Sequence, residues 1–109
     1  MGYLNYAGAP TSFTIDDEML AHVRAVVVTK LRRSESFALT IPTIGAASET
    51  LWIHASIPLR FSLVDDVPLG RPLLVAMMEA ASSSGGLDLT DERLARSLGE
   101  RSFTHAMSA

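Results

Sequence analysis

The sequence predicts an α+β fold with two layers, in which an antiparallel sheet, built from an N-terminal hairpin and central strands, carries two main helices on one face. The chain has 109 residues, 48% hydrophobic and 19% charged, a balance typical of one globular domain. Several stretches alternate with period two, as strands do, and two others repeat apolar residues at helical spacing. The predicted order is ββ-α-ββ(β)-α, followed by a short C-terminal helix. We expect a single α+β domain over residues 1–90 and a short helix with a flexible tail over residues 91–109.

The N-terminal hairpin is predicted from its residue types. Aromatic and β-branched residues occupy Gly2–Tyr6 and Thr11–Ile15, and Ala7–Pro10 between them has the composition of a turn. A helix is predicted next, over residues 16–33. Asp16 or Asp17 can cap its start, and Arg32 and Arg33 close its last turn, so the charges suit the helix dipole at both ends. Its apolar stripe consists of Leu20, Val23, Val26, Val27 and Leu31.

The central strands are predicted from period-two alternation. Ser36–Pro42 places Phe37, Leu39 and Ile41 on one face. Glu49–Val64 also alternates, as one bent strand or as two strands broken near Ala55–Ser56. Pro58 favours an edge or a bulge in this segment.

The second helix begins at Arg71–Pro72, where proline suits the first turn, and ends at Ser82–Gly86. Leu87–Leu89 is predicted as a short strand. Thr90 then caps a short helix that reaches Leu98, and a frayed tail follows. The core face of the second helix is predicted to comprise Leu73, Leu74, Met77, Met78 and Ala81.

The composition excludes several classes of site. The chain has no cysteine, which rules out disulfides, thiolate zinc sites, iron–sulfur clusters and cysteine nucleophiles. The formal charge is −3, so no basic excess indicates a nucleic-acid partner. The longest apolar run, Ala25–Val28, is far too short to span a bilayer, and no signal sequence is evident. We expect a cytoplasmic protein without a membrane partner.

Neither a metal nor a cofactor is predicted. His22, His54 and His105 lack metal-ligand spacing, so we interpret them as three unrelated surface or boundary residues. Ser82–Gly86 follows a helix rather than a strand and contains no Gly-Lys-Ser/Thr, so it is interpreted as a helix stop rather than a phosphate loop.

Two functional hypotheses follow from the even positions of the second alternating segment. A hydrolase would use Ser56 as nucleophile, His54 as base and Asp65 or Asp66 as orienter, although no nucleophile elbow is present. The alternative interpretation of the same side chains is the polar outer face of a sheet.

A nucleic-acid interface would combine base stacking with arginine contacts to phosphates. Lys30 could add to its basic patch, but Asp16, Asp17, Glu18 and Glu35 cancel charge in the same part of the chain. The alternative interpretation is a helix end capped by cations beside one partly buried tryptophan. The residues of this predicted interface are Arg32, Arg33, Trp52, His54 and Arg60.

The sequence favours a further hypothesis over these two, namely a non-enzymatic binding or regulatory module of unknown ligand that associates with itself. Its basis is the lack of a catalytic motif. If one sheet face is uncovered, Trp52 and Pro58 would form an exposed patch suited to a homo-oligomer.

Four stretches of the sequence carry a family resemblance: MGYLNYAG, IDDEMLAHVRAVVVTKLRRSESFALT, LWIHASIPLRF and SSSGGLDLT. Together they resemble a family of short actinobacterial proteins without an established function, over roughly residues 1–90. Members of that family often carry the label "ATP-dependent DNA ligase", which implies an adenylated lysine in a Lys-x-Asp-Gly motif. The only lysine here, Lys30, is followed by Leu31-Arg32-Arg33, so the sequence does not support ligase chemistry.

Overall fold

A computed structural model describes residues 1–43, 45, 47–63 and 67–94. The α+β class and the order of the elements are as predicted. A helical turn over residues 92–94 follows the last strand, and the rest of the predicted C-terminal helix and tail lies outside the described residues. The elements are β1 (Gly2–Tyr6), β2 (Phe13–Ile15), α1 (Asp17–Arg32), β3 (Phe37–Pro42), β4 (Ser48–Ile53), β5 (Leu59–Ser62), α2 (Arg71–Ala81) and β6 (Leu87–Asp88).

The strands are divided between two three-stranded sheets rather than joined in one. The first has the order β2-β1-β5 and is antiparallel throughout. The second has the order β4-β3-β6, with β3 antiparallel to β4 and parallel to β6. The division arises because the predicted break near Ala55–Ser56 is a full turn. After this turn β5 pairs with β1 instead of β4, and the backbone N–H of Ala7 donates to the Pro58 carbonyl at 2.8 Å.

Helix α1 is fixed by the local signals that predicted it. Asp16 is its N-cap, and its side chain accepts hydrogen bonds from the backbone N–H groups of Glu18 and Met19. A cap of this kind contributes about 1 kcal/mol. Lys30 and Arg32 lie in the last turn, where cations oppose the negative end of the helix dipole.

Helices α1 and α2 lie side by side and run in the same direction. Near the start of α1, the imidazole Nε2 of His22 accepts a hydrogen bond from the N–H of Gly70, the N-cap of α2. At the other end, Nζ of Lys30 lies 3.2 Å from Oγ of Ser82, the C-cap of α2. Within the described ranges these two residues are the buried polar side chains, so both of them join α1 to α2.

The expectation that His22 is a surface or boundary residue is therefore wrong. Its side chain is fully buried. Met19, Val26 and Lys30 are also buried, and with His22 they follow helical spacing along one side of α1. Because α2 packs against this side, a polar residue at position 22 is enclosed and needs hydrogen-bond partners.

The central strand of the second sheet is β3, and its side chains alternate between a buried face and a less buried face, as predicted. Phe37, Leu39 and Ile41 are buried, whereas Ala38 and Thr40 on the opposite face are half-buried. Of the residues predicted for the core face of α2, Leu74 and Met78 are only partly buried and pack at its margin. The fully enclosed ones are Leu73, Met77 and Ala81.

The second sheet has one face packed on the core and one uncovered face. The side chain of Trp52 is on the uncovered face and is 55% exposed, whereas its neighbour Ile53 is fully buried. Among the helices in the described part of the chain, none combines the length and the apolar character needed to cross a membrane.

Candidate functional site

A groove of about 560 Å³ lies beside Trp52, where the uncovered sheet face meets the C-terminal ends of both helices. Its volume is within the range of small-molecule and side-chain pockets. The groove includes residues of α1, β3, β4 and the segment after α2. The residues that matter for its chemistry are Lys30, Glu35, Ala38, Trp52, Ser84 and Gly86.

Small residues make room for the indole on this face. Ala38 lies directly opposite Trp52 in the β3–β4 register. Gly86 has a φ of 74°, and a Cβ built on it would lie 2.4 Å from the carbonyl oxygen of Ala38. Position 86 therefore requires glycine, both for its backbone conformation and for its close approach to β3. The result is a shallow floor next to a large aromatic ring.

Lys30 lines one side of the groove, and its positive charge is paired with the carboxylate of Glu35. Its Nζ lies 2.9 Å from Oε1 of Glu35 and 3.2 Å from Oγ of Ser82, and the residue is 5% exposed. The hydrogen bond from Lys30 lowers the pKa of Glu35 below its ordinary value of 4.5. Because α1 and α2 are parallel, their negative dipole ends meet here, and the ammonium group opposes both. Lys30 is thus a buried structural cation, and it does not form part of an exposed basic patch.

A phenol from the first sheet contacts the backbone of the Trp52 strand. The carbonyl of Thr40 accepts from the N–H of Leu89, so it points toward β6. Thr50, opposite Thr40 in the register, therefore presents its backbone groups away from β3, toward the edge of the sheet. Trp52 has the same orientation two residues later, and its carbonyl accepts the hydroxyl of Tyr6 at 2.8 Å. This bond ties the two sheets together at the candidate site.

The predicted nucleic-acid residues are all exposed, but they do not share one face. Arg32 and Arg33 are at the end of α1, close in sequence to the groove residue Glu35. His54 lies in the turn after β4, and Arg60 is on β5 in the first sheet. The expectation that Trp52, His54 and Arg60 line one strand face is wrong, because the chain changes sheets between them.

The predicted hydrolase pair does meet in the turn after β4. Nδ1 of His54 lies 2.8 Å from Oγ of Ser56, and it also accepts the backbone N–H of Ser56 at 3.0 Å. The N–H of Ile57 donates to the carbonyl of His54 at 3.0 Å. These bonds together define a local turn that the imidazole stabilises. The predicted orienters Asp65 and Asp66 lie outside the described residues, as does His105.

The described part of the chain contains no group of side chains that could bind a metal ion. Within residues 1–43, 45, 47–63 and 67–94, no three histidine or carboxylate side chains are grouped so as to hold a metal ion.

The groove itself was not predicted. The interpretation of Ser82–Gly86 as a helix stop fits the end of α2 at Ala81, but this segment also lines the groove. The available signal was the helical spacing of positions 19, 22, 26 and 30. That spacing places the only lysine of the chain on the buried side of α1 and implies a polar partner for it.

The fold and the groove define a small α+β protein with an open recess on the uncovered face of one sheet. By sequence, the chain belongs to the family DUF7882, a domain of unknown function, whose model matches residues 1–92. The match spans every element from β1 to β6 and all of the groove, and it confirms the expectation of an uncharacterised family. No curated protein and no solved structure matches the chain.

Proposed function

We propose that the chain is a small, non-enzymatic binding module that associates with a second copy of itself through the uncovered face of the β4-β3-β6 sheet. The observation that supports this proposal is the 55% exposure of Trp52 beside a groove. Tryptophan is enriched at the centres of protein interfaces, where burying its large apolar surface stabilises association. A lone tryptophan on an otherwise polar face is therefore a candidate anchor.

The chemistry of the face also favours a protein partner. Lys30 is paired with Glu35, so the groove offers no isolated charge for an ionic ligand. The bond from Tyr6 to the Trp52 carbonyl holds the β4 backbone, which reduces the entropy lost when a partner binds. The proposal includes a cytoplasmic location, which the absence of cysteine favours, and an actinobacterial origin, which the family resemblance of the sequence implies.

Ligase chemistry is not part of the proposal. A lysine nucleophile must be deprotonated and must reach a nucleotide. Lys30 is instead buried and ion-paired with Glu35, and the sequence around it lacks the nucleotidyltransferase motif.

Sedimentation experiments test the proposed function. We expect a reversible monomer–dimer equilibrium with a dissociation constant of roughly 100 µM, as for a weak, transient association. The matched control is Val75→Ala, which removes an exposed apolar side chain on α2 and should leave the equilibrium unchanged. A strict monomer from about 5 to about 500 µM would contradict the proposal.

A nucleic-acid accessory role is the second candidate, favoured by the position of Arg32 and Arg33 on the helix end that borders the groove. In this case Trp52 would stack on a base while Arg32 and Arg33 contact phosphates, and His54 and Arg60, which do not share this face, would have no part in the contact. The test is fluorescence anisotropy of labelled single-stranded DNA and RNA at two salt concentrations.

The double variant Arg32→Ala/Arg33→Ala should weaken such binding and reduce its salt dependence. Arg24→Ala, an exposed arginine in the middle of α1, is the control. Absence of binding at low salt, or binding that the double variant leaves unchanged, removes this candidate.

A further inference from the structure

We infer that the groove beside Trp52 binds an uncharged saccharide, whose C–H face packs on the indole ring while its hydroxyl groups form hydrogen bonds with the polar rim. This inference goes beyond the proposed self-association and does not depend on it. The ligand class is neutral pyranose sugars, as a single ring or a short chain. The volume of about 560 Å³ is within the range of small-molecule pockets and is sufficient for a disaccharide.

The first argument is the aromatic surface. The side chain of Trp52 lines the groove and is 55% exposed. The negative face of an aromatic ring attracts partly positive C–H groups, and the face of a pyranose presents such groups. Of the described residues that line the groove, Phe37 has the only other ring, and it is buried in the core. The groove thus offers one aromatic surface, which suits a sugar, whereas a flat nucleobase is held best between two apolar surfaces.

The second argument is the supply of free hydrogen-bonding groups at the rim. Ser82 and Ser83 donate their hydroxyls to backbone carbonyls of α2. In contrast, the hydroxyls of Ser36 and Ser84 have no partner among the described residues. The Glu35 carboxylate holds one ion pair, but its side chain is 46% exposed, and a carboxylate accepts up to about four hydrogen bonds. These hydroxyl and carboxylate groups complement the hydroxyls of a sugar.

The polar surface continues along the sheet next to the groove. Thr50 is one step along β4 from Trp52 on the same face, and it lies opposite Thr40, which is paired with Asp88. The Asp88 carboxylate accepts the N–H and the hydroxyl of Thr90, both at Oδ1, so among the described residues Oδ2 has no donor. The second ring of a disaccharide would meet these groups.

The third argument is charge. Among the described residues of the groove, the one cation is Lys30, which is 5% exposed and paired with Glu35, so a phosphate on a ligand would find no free cation. An anion would also face the carboxylates of Glu35 and Asp88. A cation would lie near the ammonium group of Lys30, which repels it. The face is therefore complementary to an uncharged ligand that donates hydrogen bonds.

The intrinsic fluorescence of the chain measures binding directly, because Trp52 is its only tryptophan. The probes are methyl β-glucopyranoside and cellobiose, whose ring hydroxyls are equatorial and leave C–H groups on both faces of the ring. We expect a saturable blue shift and reduced acrylamide quenching, with a dissociation constant of roughly 1 mM. Glycerol at equal concentration is the control and should give no saturable change. No saturable change with either sugar up to about 50 mM overturns the inference.

A charge series tests the third argument. Glucose 6-phosphate adds an anion to the same ring, and 6-amino-6-deoxyglucose adds a cation. Each should bind at least about threefold more weakly than methyl β-glucopyranoside. Binding of either charged sugar, or of adenosine, that is as tight as that of the neutral sugar overturns the inference in favour of an ionic or a nucleobase ligand.

Two variants locate the site. Trp52→Ala removes the aromatic surface, and Ser84→Leu fills part of the groove but keeps the fluorescent residue. Each should weaken binding by about tenfold or more, measured by saturation transfer from protein to sugar protons in NMR. Thr14→Leu, an exposed change on β2 in the first sheet, is the control and should leave binding unchanged. Circular dichroism establishes that each variant is folded. Binding that Trp52→Ala and Ser84→Leu leave at the wild-type strength overturns the inference.

The inference and the proposed function fail separately. The titrations use about 5 µM protein, at which a dimer with a dissociation constant of roughly 100 µM is largely dissociated. Absence of saccharide binding therefore overturns the inference alone. A strict monomer that binds the neutral sugars overturns the proposed self-association and supports the inference.

Discussion

The imidazole of His22 accepts a hydrogen bond from the backbone N–H of Gly70 at 2.9 Å, in a part of the protein that is fully buried. The other ring nitrogen, Nδ1, lies 2.6 Å from the carbonyl of Glu18 and donates to it. The two contacts fix a single neutral tautomer, with the proton on Nδ1. His22 thus supplies the acceptor for the N-cap residue of α2, which has no capping side chain of its own.

Replacing His22 with leucine should destabilise the fold by about 2–3 kcal/mol, because the buried N–H of Gly70 loses its acceptor. Urea unfolding followed by circular dichroism measures this change. Arg24→Ala, an exposed change on the same helix, is the control and should stay within about 0.5 kcal/mol of the wild type. Equal stabilities of the two variants would show that the His22–Gly70 bond contributes nothing.

The Lys30–Glu35 pair should make stability depend on pH. Because the bond from Lys30 lowers the pKa of Glu35 in the folded protein below the ordinary value of 4.5, the carboxyl group binds a proton more readily after unfolding. Its contribution is complete above pH 4.5 and is lost as the pH falls through the lower pKa of the folded state. We therefore expect Glu35→Gln to be less stable than the wild type at pH 7, with the difference shrinking as the pH falls below 4.5.

Unfolding curves across this pH range provide the measurement. Glu49→Gln, which changes an exposed glutamate on β4, is the matched control. The prediction is wrong if both variants follow the same pH dependence relative to the wild type.

The two adjacent glycines after α2 should respond differently to alanine. Gly86→Ala forces a side chain into a φ of 74° and against the Ala38 carbonyl, so it should cost about 1–3 kcal/mol. Gly85→Ala meets no atom within 4 Å and should be within about 0.5 kcal/mol of the wild type. Thermal unfolding distinguishes the two variants. Similar melting temperatures would show that residue 86 is not packed closely against Ala38 of β3.

Removing the hydroxyl of Tyr6 should loosen the contact between the two sheets. Tyr6→Phe leaves the Trp52 carbonyl without its donor and should cost about 0.5–1.5 kcal/mol. Hydrogen exchange should also speed up at the end of β4. Tyr3→Phe, on the exposed face of β1, is the control and should change neither quantity. Unaltered exchange in Tyr6→Phe would mean that the bond does not hold β4.

The elements determined by local chemistry were the ones that the sequence predicted well. The cap at Asp16, the alternation of Phe37, Leu39 and Ile41, and the proline at position 72 each act over a few residues. These signals are sufficient because they depend on backbone geometry and on one buried face. The alternation also indicated a break near Ala55–Ser56 as one of two alternatives, but it did not predict that the two strands would join different sheets.

The arrangement of the two sheets could not be predicted, because it depends on long-range pairing. Whether β5 returns to β4 or crosses to β1 is decided by total burial, which no short window reveals. The groove was missed for the same reason. It exists because α1 and α2 are parallel, which brings Lys30 to Ser82, and because Trp52 and Gly86 both lie next to Ala38 of β3.

The pairing of β1 with β5 has a consequence for the order of folding. Tyr3 pairs with Ser62, so the central strand of the first sheet stays incomplete until more than half of the chain has been synthesised. The β3–β4 hairpin is closed by a short connection and can form early, whereas the first sheet must close a long loop. Substitutions in β3 and β4 should therefore slow refolding, and those in β1 and β5 should mainly speed up unfolding.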